Sequence, residues 1–227
     1  MSLVSIHPKN LAEMLENVMH VCQDKTAIYN EVVKLAWGGK HLCVFGRGRY
    51  AASSESREVL VEPSTGSGVW FYIHIGDCKD VAGALKKVEG AGRAGTVVTM
   101  QVIDGQLVIR DGTQDLAVLD NADPEELTES TSDSIGIWED VVTVMGREPV
   151  RSSPLAFTRD LLKRLDKVRI GKTNQPYDVF DFAVLGGNTV GVKFGKDMTV
   201  LLEAVEREGY ETGGRYGDGP GEEGALW

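Results

Sequence analysis

Six basic side chains, Arg159, Lys163, Arg164, Lys167, Arg169 and Lys172, stand within fourteen residues, opposed only by Asp160 and Asp166. The local balance is +4 in a chain whose formal net charge is −10. Leu161, Leu162, Leu165 and Val168 recur among them at helical spacing, so an amphipathic helix is expected over Thr158–Val168, with Thr158 as N-cap. With those four apolar side chains facing a core, the bases share the outward surface. A basic stripe of this kind neutralises phosphates and releases counterions without reading base edges. Arg159, Lys163, Arg164 and Lys167 are therefore candidate contacts to a nucleic-acid backbone; a solvated helix face is the competing reading. Lys86 and Lys87, on a second expected helix, extend the candidate surface weakly. There Lys79, Lys86, Lys87 and Arg93 are balanced against Asp77, Asp80 and Glu89.

Other chemistry finds little support. Ile170-Gly171-Lys172-Thr173 resembles the end of a phosphate-binding loop, but Asp166 occupies the place of the first glycine, and the segment follows a helix instead of opening one. His20 and Cys22, His41 and Cys43, and His74 and Cys78 are close pairs, yet none has the paired cysteine spacing of a structural zinc site. Neither a metalloprotease HExxH nor a nucleophile elbow occurs. No catalytic residue, metal or cofactor is expected.

The elements that must carry the basic stripe recur in a loose pattern. Leu11, Met14, Leu15, Val18 and Cys22 form the apolar face of a first helix, followed by strands over Glu31–Trp37, His41–Phe45 and Ala51–Val61. A second round begins with a strand over Val69–Ile75 and a helix over Asp77–Val88, whose stripe is Val81, Ala84, Leu85 and Val88. Three short strands follow, Thr96–Ile103, Gln106–Arg110 and Gln114–Leu119, broken by Asp104-Gly105 and Asp111-Gly112, which suit tight hairpins. In the third round, the basic helix leads to strands over Val179–Leu185, Thr189–Phe194 and Met198–Val205. The expected class is α+β: repeated βαβββ units forming curved antiparallel sheets with helices on one face.

Charge and composition bound the rest. The 227 residues are 42% hydrophobic, enough for a sizeable core. Six acids and no base lie in residues 120–133, and seven acids against two bases in 203–227. These segments contribute −6 and −5, so everything else sums to about +1 and the acidity is local. The expected division is a first domain over 1–122, an acidic connector and a segment of uncertain type over 123–150, a reduced second domain over 151–208, and a disordered acidic tail over 209–227. Three widely spaced cysteines read as reduced thiols, and neither a membrane span nor a signal peptide is apparent, so a cytoplasmic setting is expected.

The order of elements resembles a DNA sliding clamp, and most closely the bacterial processivity clamp. In LAEMLENVMHVCQDKTAIYNEVVKLAWGGKHLCVFGRGRYAAS, a helix and a hairpin run into a turn, as in that family's middle domain. Gly48-Arg49-Tyr50 falls where the family has Gly-His-Arg-Leu, one residue shorter and lacking the histidine. VWFYIHIGDCKDVAGALKKV through DLAVLDNADPEEL is similar to the second half of the domain, with Asp123-Pro124-Glu125 in the place of Phe-Pro-Asp.

The resemblance implies a non-enzymatic replication processivity factor, a homo-oligomer that encircles or follows double-stranded DNA and tethers a polymerase. It also implies a hydrophobic groove for a polymerase or clamp-loader peptide. Gly48, Arg49, Tyr50 and Pro124 would help to line it, joined by Val200 and Leu202 of the last strand. The short chain resembles phage clamps. Three repeat units depart from the four of a two-domain clamp and the six of a three-domain one. A clamp-like module that binds replication partners without closing a ring is the second reading. An α+β enzyme or ligand-binding protein is the third.

Overall fold

The computed structural model describes residues 3–22, 32–47, 51–60, 69–90, 96–122, 157, 159–169, 180–186, 189–195 and 197–204. The first unit runs β1 (Leu3–Ile6), α1 (Pro8–Cys22), β2 (Val32–Gly38), β3 (His41–Arg47) and β4 (Ala51–Glu58). The second runs β5 (Val69–His74), α2 (Ile75–Gly90), β6 (Val98–Ile103), β7 (Gln106–Asp111) and β8 (Gln114–Asp120). The third comprises α3 (Arg159–Leu165), β9 (Phe180–Gly186), β10 (Thr189–Phe194) and β11 (Met198–Glu203). The mixed α+β class and the helix-then-hairpins order match the sequence pattern.

Strand pairing crosses the repeats. One antiparallel sheet has the order β1-β6-β7-β8, the other β5-β2-β3-β4-β11-β10-β9. The strand that opens each of the first two units is thus given to the other: Val4 lies opposite Met100, and Val33 opposite Ile73. The third unit extends the first through β4 and β11, where Ala51 faces Leu202 and Glu55 faces Met198. Turn chemistry fixes the hairpins. Asp104 and Gly105, with φ of 51° and 83°, form the two-residue loop between Ile103 and Gln106, since an aspartate and a glycine tolerate left-handed backbone there.

Period-two alternation gives each sheet an apolar face, and the helices cover it. Leu42 and Val44 of β3, Val4 and Ile6 of β1, Met100 of β6 and Ile109 of β7 all enter one core. Leu11, Met14, Leu15 and Val18 of α1 are buried there, each adding about 2 kcal/mol by leaving water. Gly46 admits α1 closely to β3: a Cβ at this position would lie 2.0 Å from Val18 Cγ1 and 3.0 Å from Cys22 Sγ. On the same face of β4, Ser53 and Glu55 meet Cys22 and Asn17 of α1. Val200 and Leu202, paired with Ser53 and Ala51, share that face, and Leu161, Leu165 and Val168 join the same core. All three helices therefore lie on the inward side of the sheets.

The third helix is shorter than its sequence pattern suggests. It ends at Leu165, and Asp166–Val168 wind on through hydrogen bonds back to Leu162, Arg164 and Leu165. Leu161, Leu165 and Val168 are buried, but Leu162 is exposed. Positions i, i+4 and i+7 share one face, whereas the next residue along is turned by about 100°.

Candidate nucleic-acid interface

The basic side chains expected on the third helix are outward. Arg159, Lys163 and Lys167 are exposed, as are Lys86 and Lys87 near the end of α2. Arg164 differs: its Nε and Nη2 donate to Asp160 Oδ2 at 3.0 and 2.8 Å, one turn earlier, so much of its charge is already answered. Lys86 is answered too, with Nζ 2.5 Å from Glu16 Oε1 on α1. The structure therefore brings Lys86 of the second unit and Lys167 of the third to one side of α1.

There they border a cleft of about 210 Å³ between the three units. Its walls carry Lys9, Glu13, Glu16 and His20 from α1, Lys86 from α2, and Lys167 and Arg169 from the turn after α3. Arg169 was not among the candidate contacts drawn from the basic run. Its Nη1 donates to the carbonyls of Asp166 and Val168, holding the guanidinium against its own turn. Burial lowers the pKa of His20 below its usual value, repulsion by Lys167, Arg169 and Lys86 acts in the same direction, and Glu16 opposes them.

A buried polar network fixes the floor beneath. Asn17 Nδ2 donates to Glu55 Oε2 at 2.9 Å and to the Arg169 carbonyl, while Asn17 Oδ1 accepts the Arg169 N–H at 2.8 Å. Glu55, fully buried, takes a hydrogen bond from Arg57 Nε at 2.8 Å, and Arg57 Nη1 reaches Glu13 at 3.0 Å and Asn10 at 3.2 Å. Arg57 Nη2 is only 2.6 Å from Glu55 Oε1 yet makes no directed hydrogen bond among the described residues. The contact is one of charge, with Nε supplying the aligned donor. Burial raises the Glu55 pKa more than Arg57 and Asn17 lower it. This network was missed in the sequence.

The expected groove fares differently. Gly48, Arg49, Tyr50 and Pro124 lie outside the described residues, although Arg47 and Ala52 are paired. Val200 and Leu202 are 0% and 1% exposed, packed in the core on the helix side of β11. They cannot line an open groove, because alternation turns them to the interior. Ile170–Thr173 also lies outside the described residues. Among the described residues no cluster of histidine, cysteine and carboxylate groups has metal-binding geometry, the three cysteines form no disulfide with one another, and no helix is long and apolar enough to cross a membrane.

No protein-family profile and no curated protein matches the chain. Solved structures do. A DNA polymerase sliding clamp from Pseudomonas aeruginosa aligns with a TM-score of 0.59 at 10% identity, over 91% of this chain and 65% of that one. The DNA polymerase III beta subunit from Thermotoga maritima gives 0.61 at 9% identity, over 91% and 65%. The sliding clamp from Bacillus subtilis gives 0.58 at 12%, again over 91% and 65%. The chain thus spans somewhat less than two thirds of the length of these structures. Its two antiparallel sheets and inward helices are arranged in the fold of the bacterial DNA polymerase sliding clamp.

Proposed function

We propose that this protein is a sliding-clamp-like processivity factor: a non-enzymatic homo-oligomer that follows duplex DNA by sequence-independent phosphate contacts and tethers a polymerase. The observation that carries this reading is the clamp fold over 91% of the chain, with exposed cations on its helical side despite a net charge of −10. Residues 1–122 are read as one clamp-like domain and 151–208 as a reduced second one. Arg159, Lys163, Lys167 and Lys87 are assigned to the DNA-facing surface, with Arg164 and Lys86 as weaker members because Asp160 and Glu16 hold them. Each phosphate contact on duplex DNA contributes roughly −0.9 to the slope of log K against log salt, so replacing Arg159 and Lys163 by Ala should flatten that slope by about 1–2. In the same buffers the protein should sediment well above 24.7 kDa. A monomer that ignores duplex DNA even at low salt would sink the proposal.

Partner docking is assigned to Gly48, Arg49, Tyr50 and Pro124 on the strength of the resemblance. A short hydrophobic peptide from a polymerase tail should perturb the amide resonances of both segments when titrated. Perturbations confined to other residues would remove this assignment.

A further inference from the structure

The cleft between the units has a charge pattern that its own side chains do not complete. Both of its carboxylates are engaged: Glu13 holds Arg57 at 3.0 Å and Lys9 at 3.5 Å, and Glu16 holds Lys86. Among the described residues, neither the Lys167 ammonium nor the Arg169 guanidinium has a carboxylate within ion-pair distance. Two cations thus face a half-buried imidazole across a space of about 210 Å³, with a third cation, Lys86, on an exchangeable partner. The backbone that carries Arg169 is fixed, because Asn17 grips both of its polar groups. Such a concave site, positive and held from below, suits a compact oxyanion.

We propose that this cleft is a phosphate-binding site that takes one backbone phosphate of the bound DNA, with Lys167 and Arg169 as its ligands and Lys86 joining them by exchanging Glu16 for the phosphate. The assignment rests on the DNA-binding reading above and adds a specific seat to it. Lys167 and Arg169 come from the third unit, Lys86 from the second and Glu16 from the first. An occupied cleft therefore ties the second and third units to a single phosphate beside α1 of the first, so contact with DNA favours the docked arrangement of the third unit. A phosphodiester and a free phosphate share the same oxyanion chemistry, and the test must separate them.

Inorganic sulfate, whose charge is constant over the titration range of imidazole, serves as the first probe, followed through the His20 ring signals. An anion beside His20 stabilises its protonated form, so sulfate should raise the His20 midpoint in the full chain. The paired substitution Lys167→Gln, Arg169→Gln should abolish that response. In the second arm, a short duplex of arbitrary sequence is titrated at several salt concentrations. The same variant should reduce the slope of log K against log salt by about 1, the share of one phosphate. Glu16→Gln provides a change of opposite sign: it frees Lys86 without removing a cation, and should tighten both sulfate and duplex. If the duplex binds the wild type with a slope that neither variant changes, the cleft is not a phosphate seat, while the DNA reading survives. If sulfate moves His20 but no duplex associates, the DNA source is overturned together with the processivity reading, and a free phosphate is the ligand. No sulfate response in wild type and no effect of Glu16→Gln overturns the site outright. Unaltered exchange of the backbone amide at position 169 in the paired variant would verify that the Asn17 grip is intact.

Discussion

Asn17 sits on the buried side of α1 among Met14, Leu15, Val18 and Val21, where a polar side chain needs partners. It finds them at Glu55 and at the backbone of Arg169, 38 and 152 residues away in sequence. Asn17→Ala should destabilise the protein by about 2 kcal/mol, since it leaves a buried carboxylate oxygen short of a donor. Equilibrium urea denaturation would give this value, and the Arg169 amide should exchange faster. Glu55 has its own pH signature. Its folded pKa lies above the 4.5 of an unperturbed glutamate, so the stability it confers is complete below that value and is lost as pH rises through the folded pKa. Glu55→Gln should lack this loss, and the difference between wild type and variant should shift in favour of the variant between pH 4.5 and the folded pKa, then level off. A difference that stays flat across that window would mean that Arg57 outweighs burial. Neither role was legible in the sequence: an asparagine between Glu16 and Val18 looks like any helix residue until its distant partners are placed beside it.

At the scale of elements, the legible features were those with local causes. Apolar periodicity located α1 and α2, and the Asp-Gly pairs located their hairpins, because both depend on neighbours a few residues away. The first strand, Leu3–Ile6, escaped notice: its four residues are too few for a periodic signal, and its pairing with Val98–Gln101 is wholly long-range. The length of α3 was overread because its apolar spacing continues into a turn. The seating of α1 on β3 is also nonlocal. It depends on Gly46, and Gly46→Ala should cost about 1–3 kcal/mol by forcing Val18 away from the sheet. Adding Val18→Ala should recover part of that loss, a non-additivity that denaturation of the double variant would reveal. Equal and additive costs would show that the contact is relieved elsewhere.

Across the whole molecule, a chain of net charge −10 carries exposed cations on its helices. In sequence, thirteen of the acids fall in residues 120–133 and 203–227, which leaves the rest of the chain near +1. The basic run was visible before the fold was known. Its convergence with Lys86 and His20 was not, because it depends on the third unit joining the first through β4 and β11.

The exchange of leading strands sets a schedule for folding during synthesis. Leu3 must wait for Gln101, 98 residues later (101 minus 3), before β1 can be paired. At ribosomal speeds of ~5–20 residues per second, that interval is roughly 5–20 s. Val4 and Ile6 pass it without their sheet, while α1 already presents the apolar side on which both sheets will close. The nascent first unit is thus an unfinished surface rather than a folded module, and its completion is timed by the arrival of β6.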